Sequence, residues 1–266
     1  MKTSMKSLVI SSFVVVSLLV ASSCQKDDMN AENVQYASVL TVSDDGTTAV
    51  IEANLKSALV ETSDLTDTDL ASLLKMKEEE KLARDVYAAL SQKWGSPIFS
   101  KISAAENNHM NAIVLLLTTY GADNTSIGEA GIFADAAVQT LYDELVAKGG
   151  VSIEEAYQTG ALIEEMDIKG LTEALSATGN ENVTLVFENL LKGSRNHLRA
   201  FNRQISTLGL VYTPIYISQS DYDLIVSASM EKGNQYRMKG QGNGKGQGNG
   251  KGKKGQGNKG DGICNN

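Results

Sequence analysis

Glu106 and His109 stand three residues apart in the stretch AENNHM, and the chain spends only two histidines on 266 residues. On a helix, positions i and i+3 share a side, so a carboxylate and an imidazole at this spacing can reach one point. Both are ligands for divalent transition metals, and together they also make a simple ion pair. The neighbours weigh on the choice. IFSKIS precedes the pair and NAIVLLLTTY follows it, which reads as a helix with one buried apolar face. A carboxylate on such a face costs on the order of several kcal/mol unless it is paired or bound to a metal.

Three further amphipathic segments show the same interruption. Stepping alternately by three and four residues, the first seam reads Leu73, Met76, Glu80, Ala83, Tyr87 and the second Ile102, Glu106, His109, Ile113. The third reads Tyr157, Ala161, Glu164, Ile168 and the fourth Leu190, Ser194, His197, Phe201. Each seam is apolar except near its middle. KEEEK offers Glu78, Glu79 and Glu80 to the first seam, and only one of them can lie at its centre. Carboxylate oxygens and imidazole nitrogens meeting at one height satisfy one another through a divalent cation, so Glu80, Glu106, His109, Glu164 and His197 are the candidate metal ligands. A structural use of the same groups, as hydrogen-bonded Glu to His pairs in a metal-free core, is the competing interpretation.

The elements that must position these groups are long helices, so the fold class is all-α. The first runs from an N-cap at Asp67 or Thr68 to a stop at Gly95, and the second from Ser96-Pro97 to Tyr120 before Gly121. Ser152 and Glu155 form a capping box for the third, which ends near Gly179. The fourth starts around Asn180 to Asn182 and ends at Gly209, with Pro214 beyond it. Between the second and third lies a Gly-punctuated connection carrying one short helix, DAAVQTLYDELVAK, and Ser220 caps a short C-terminal helix, DYDLIVSASM. A four-helix bundle with one long crossover has the ferritin-like topology.

Several motifs carry a family resemblance. EKLARDVY resembles the first-helix motif of rubrerythrin-type proteins, and FSKISAAENNHM their second-helix E-x-x-H. With GALIEEMDI and LLKGSRNHLRAF following in order, Leu70 to Leu210 is similar to the ferritin-like family called domain of unknown function 2202. That resemblance implies Glu80 as a terminal ligand, Glu106 as a bridging carboxylate, His109 and His197 as imidazole ligands, and Glu164 as the third-helix carboxylate, with Glu165 and Asp167 as alternates. It implies Fe or Mn as cofactor, mononuclear or dinuclear, and redox activity toward peroxide, dioxygen or ferrous iron, with Tyr87 or Tyr120 donating a hydrogen bond or an electron. The pattern departs at Ser194, where the family resembled has a glutamate three residues before the histidine.

The ends of the chain have a different character. Residues 1–23 carry Lys2 and Lys6, then an apolar run, and read as a signal peptide. VASSC resembles a lipobox, which implies lipidation at Cys24, and the following QKDD resembles the export signal of Bacteroidetes-type surface lipoproteins. The expected setting is therefore the outer membrane or cell surface, with the membrane as a partner through Cys24. Residues 24–65 read as a flexible acidic spacer, 66–215 as the bundle, 216–231 as the short C-terminal helix and 232–266 as a disordered basic tail. Eight Lys or Arg against Asp261 make the tail +7, so the rest of the chain carries −15 of the net −8. An acidic body argues against nucleic acid as a partner; the tail could touch anionic glycan or headgroups, and a homodimer is a possible assembly. Cys264 is the only other cysteine, which excludes an internal disulfide framework if Cys24 is acylated. Phosphate-binding loops, zinc cysteine pairs and serine-hydrolase motifs are not present. No enzyme class follows from the residues alone, and a non-catalytic scaffold or binding module is the alternative to a metal protein.

Overall fold

The computed structural model describes residues 36–62, 64–122 and 127–237; the signal segment, Cys24, the tail beyond 237 and Cys264 lie outside the described residues. In chain order the elements are β1 (Tyr36–Ser38), β2 (Leu40–Val42), β3 (Thr48–Val50), α1 (Glu52–Ala58), α2 (Asp67–Trp94) and α3 (Pro97–Thr119). They continue with α4 (Ala136–Gly149), α5 (Ile153–Ala177), α6 (Glu181–Thr207), α7 (Gln219–Ser227) and β4 (Gln235–Arg237).

Local chemistry explains the helix ends. Thr66 caps α2, one residue earlier than expected, because Asp69 returns the contact: the Thr66 side chain accepts from the Asp69 N–H while the Asp69 carboxylate accepts from the Thr66 N–H. Gly95 then stops α2 in the left-handed conformation, with φ of 64°. Pro97 opens α3, where its missing N–H costs nothing. Asn180 caps α6 through the N–H groups of Asn182 and Val183. The C-terminal helix is capped by Ser218 instead of Ser220, since Ser218 is the hydroxyl that reaches the Asp221 N–H.

The chain path follows from which apolar cluster each helix meets first. One cluster joins Tyr87 and Leu90 of α2, Phe99 of α3, Ala156 of α5 and Phe201 of α6. The other joins Leu73, Ile113, Leu171 and Phe187 from the same four helices. Along α2 and α6 the numbering climbs from the second cluster to the first, and along α3 and α5 it climbs the other way. Hence α3 and α5 are parallel, and the connection between them must travel back along the bundle; α4 lies on that connection and packs against α5 and α2. On α2, α3 and α6 the polar centre falls between the two clusters.

The reading of 24–65 as a flexible spacer is corrected for residues 36–62. β2 and β3 pair antiparallel as a hairpin, with Leu40 opposite Val50 and Val42 opposite Thr48, and β3 packs against α3 and α6. Val39, Leu40 and Leu55 are as buried as the bundle core, so apolar burial holds the segment in place. The tail is likewise ordered at its start. β4 pairs with β1, and the Glu231 carboxylate accepts from Arg195 and Arg199 of α6 at 2.5 to 2.7 Å. Among the described residues, no helix is long and apolar enough to cross a membrane.

Candidate metal centre

Glu80, Glu106, His109, Glu164 and His197 come together at the middle of the bundle, each with no exposed surface. Of the three KEEEK glutamates, Glu80 takes the centre; Glu78 is 42% exposed at its side chain and Glu79 binds Lys75 at 3.1 Å. Glu106 lies between the histidines. Its Oε2 is 2.9 Å from His109 Nδ1 and its Oε1 is 2.8 Å from His197 Nδ1. Glu80 Oε2 is 3.3 Å from His109 Nδ1, and Glu164 Oε2 is 3.5 Å from His197 Nδ1. Two groups that could hold a metal ion result, Glu80 with Glu106 and His109, and Glu106 with Glu164 and His197.

The charges respond to each other more than to water. Burial alone would pull both imidazoles down, but the carboxylates of Glu80 and Glu106 push His109 up to about 10, and those of Glu106 and Glu164 push His197 up to about 9. Burial acts against ionisation of Glu106 as well, yet the two imidazoles hold it well below the usual carboxylate range. Glu80 and Glu164 go the other way. Burial, then the charge of Glu106, raises Glu80 to about 8 and Glu164 to about 7.

The donor atoms fit an ion by the same test. Both oxygens of Glu80 and Oε2 of Glu164 are buried without a hydrogen-bond partner. Orphaned atoms of this kind are rare in a folded core and signal an absent ligand when they converge. The carboxylate and imidazole donors suit Fe, Mn or Zn.

Other candidates divide. Tyr87 donates to Glu164 Oε1 at 2.6 Å, so it belongs to the centre. Tyr120 does not, because its hydroxyl is spent on Asn180 at the end of the bundle, 3.1 Å away. Glu165 is equally buried but turns to the loop after α6, where it accepts the N–H groups of Ile215 and Tyr216 at 2.8 Å each. Asp167 is 2% exposed and has an unpartnered oxygen; burial, then the charges of Glu80 and Glu164, raises it well above its ordinary value. It is the fourth carboxylate near the centre, one turn along α5 from Glu164. Ser194 supplies no ligand, since its hydroxyl donates back to the Leu190 carbonyl at 3.2 Å.

Two residues escaped the sequence reading. Thr48 of β3 places Oγ1 3.1 Å from His109 Nε2 and 2.9 Å from His197 Nε2. The β-branched residues of TTAVIE were its only signal, in a run too short to reveal which element it would face. Gly193 has to lack a side chain, because a Cβ there would sit 2.5 Å from the His109 ring.

Residues 69–229 match a family described as "Uncharacterized protein domain (DUF2202)". The chain is 43% identical over 170 residues to "Uncharacterized protein MJ0754" of Methanocaldococcus jannaschii, an overlap of 64% of this chain and 92% of that protein. It is also similar to a solved crystal structure, hypothetical protein MJ0754 from Methanococcus jannaschii DSM 2661, with 41% identity and a TM-score of 0.62. That likeness covers 65% of this chain and 99% of the other. Thr48 and its hairpin precede the segment matched to the family.

Proposed function

This chain belongs to the DUF2202 family, and we propose that its bundle is a ferritin-like module that binds one or two transition-metal ions, iron or manganese, through Glu80, Glu106, His109, Glu164 and His197. The observation that carries the proposal is the convergence of two buried imidazoles and the carboxylates of Glu80 and Glu164 on Glu106, with both oxygens of Glu80 left without a hydrogen bond. A bound redox ion would supply electron-transfer chemistry toward dioxygen or peroxide. The residues around it do the rest. Glu106 addresses both halves of the centre, Glu80 and Glu164 serve one half each, and Tyr87 orients Glu164. The apolar clusters on either side exclude water, which strengthens every charge interaction between them.

A metal-free polar core is the competing use of the same residues. It accounts for the two Glu106 to histidine contacts but leaves Glu80 with neither oxygen hydrogen-bonded. The deciding experiment strips the full chain with chelator, reloads it anaerobically with Fe(II) or Mn(II), and counts metal per chain by mass spectrometry. One or two ions per wild-type chain, lost on chelation and accompanied by a higher Tm when bound, is the expected result. No bound metal and an unmoved Tm would overturn it.

The proposed setting is the cell envelope. VASSCQKDD supports export and lipid attachment at Cys24, and the check is incorporation of labelled fatty acid that disappears in Cys24→Ala.

A further inference from the structure

We propose that Thr48, carried to the centre by the β2–β3 hairpin, is a positioning residue that holds both imidazoles with Nδ1 turned to the carboxylates. The purpose of that hold rests on the metal reading above; its geometry does not.

Thr48 is 2% exposed, on a strand where valine would fill the same space and suit the backbone equally well. A buried hydroxyl costs free energy unless it is hydrogen-bonded, so its partners should explain it. Those partners are the Nε2 atoms of His109 and His197. The two rings come from different helices, lie 5.4 Å apart and are inclined by 17°, and both present the same edge to one oxygen.

Counting protons fixes the direction. A hydroxyl has one proton and cannot donate to two nitrogens, so at least one Nε2 must carry a hydrogen and donate to Oγ1. When both Nδ1 lone pairs are committed to a cation, both Nε2 atoms are protonated, and the two lone pairs of Oγ1 accept both. A ligand histidine whose other nitrogen is held by a fixed acceptor is oriented for binding, and losing such an acceptor weakens metal affinity by about 10- to 100-fold.

The hairpin is seated firmly enough for this task. Gly46 turns it with φ of 94°, and a Cβ there would lie 2.8 Å from both the Ala200 side chain and the Asn196 carbonyl of α6. Lys101 of α3 holds Asp45 at 2.7 Å, and Arg203 of α6 donates to the Asp44 carbonyl at 2.9 Å. The turn is thus tied to the two helices that carry the histidines.

The test compares wild type, Thr48→Val and Thr48→Ser in the full chain, labelled with 15N-histidine. In the metal-free wild type, protons on both Nε2 atoms should be visible and slow to exchange with water. Thr48→Val should speed their exchange at least about tenfold, and Thr48→Ser should restore protection, a rescue that a space-filling role would not show. Zn(II), used as a diamagnetic probe, should bind Thr48→Val about 10- to 100-fold more weakly than wild type and Thr48→Ser nearly as well. Unchanged exchange, or equal Zn(II) affinity in the valine variant, overturns the proposal. If Thr48→Val does not fold, the wild-type and serine spectra decide, and absence of protected Nε2 protons in them overturns it. A wild type that takes up no metal defeats the preceding function, while proton exchange in metal-free protein still decides Thr48.

Discussion

The half of the centre built on His109 and the half built on His197 share Glu106 and Thr48, but their second carboxylates are held differently. Glu164 accepts the Tyr87 hydroxyl at 2.6 Å, whereas Glu80 accepts no hydrogen bond on either oxygen. Their ionisation is alike: burial raises both, Glu80 to about 8 against the pull of His109 and Glu164 to about 7 against that of His197 and Tyr87. A carboxylate fixed by a buried donor is a rigid ligand, and one without a donor is free to change its coordination at small cost. If an ion binds as proposed, the His197 half would hold it with a fixed carboxylate and the His109 half with an adjustable one.

Removing the shared group tests the premise of the comparison and should have the largest effect. Glu106→Gln leaves both imidazoles without their common counter-charge, so bound metal should fall at least about 100-fold and stability by about 3 to 5 kcal/mol. Metal analysis and urea denaturation read the two effects. Wild-type metal content in this variant would remove Glu106 from the centre.

Single-histidine variants then separate the halves. If each half holds its own ion, His109→Ala and His197→Ala should each keep one ion of two; if one ion is shared, each should keep none. Metal stoichiometry distinguishes the cases, and unequal retention would locate the stronger half.

pH tests what the halves have in common. Both histidines are raised above their ordinary 6.5, so the stability they contribute is complete below that pH and is lost as pH climbs through about 9 and about 10. Glu80 and Glu164 are raised above 4.5 and act in the same direction, with loss complete through about 8 and about 7. Glu106 has the opposite sign, but its contribution is lost only on acidification below the usual carboxylate range. Metal-free protein should thus lose Tm from about pH 4.5, as the carboxylates ionise, to about 10, where His109 loses its proton. Metal binding should strengthen over the same span, because the ion must displace protons from Nδ1. Scanning calorimetry with and without metal checks for these opposed slopes.

Tyr87→Phe should make the halves alike and is the smallest expected change. It deletes one buried hydrogen bond to Glu164, worth about 1 kcal/mol, and leaves the ring packed against Phe99 and Phe201. Binding at the His197 half should weaken by about tenfold, with the His109 half unchanged.

How much of this was legible beforehand depended on the range of each signal. Helical periodicity is local, and it was sufficient to align Glu106 with His109 and to place Glu80 on a seam, while leaving Glu78 and Glu79 as rivals beside it. It could not choose among Glu164, Glu165 and Asp167, which crowd one turn of α5. Glu165 was settled by the N–H groups of Ile215 and Tyr216, some fifty residues away. Tyr87 and Tyr120 looked equivalent along their seams. Only the packing of α2 against α5 gave the first to Glu164, while the second met Asn180.

By itself, then, the sequence determined the helices, the faces they bury and the polar interruption in each face, since spacing along a helix is fixed by 3.6 residues per turn. Tertiary structure decided the rest: Glu106 between two histidines, Glu164 tethered and Glu80 not, and a threonine from the segment read as a spacer reaching both rings. Those contacts join residues up to 149 positions apart, and no local pattern encodes which distant groups will meet in a buried core.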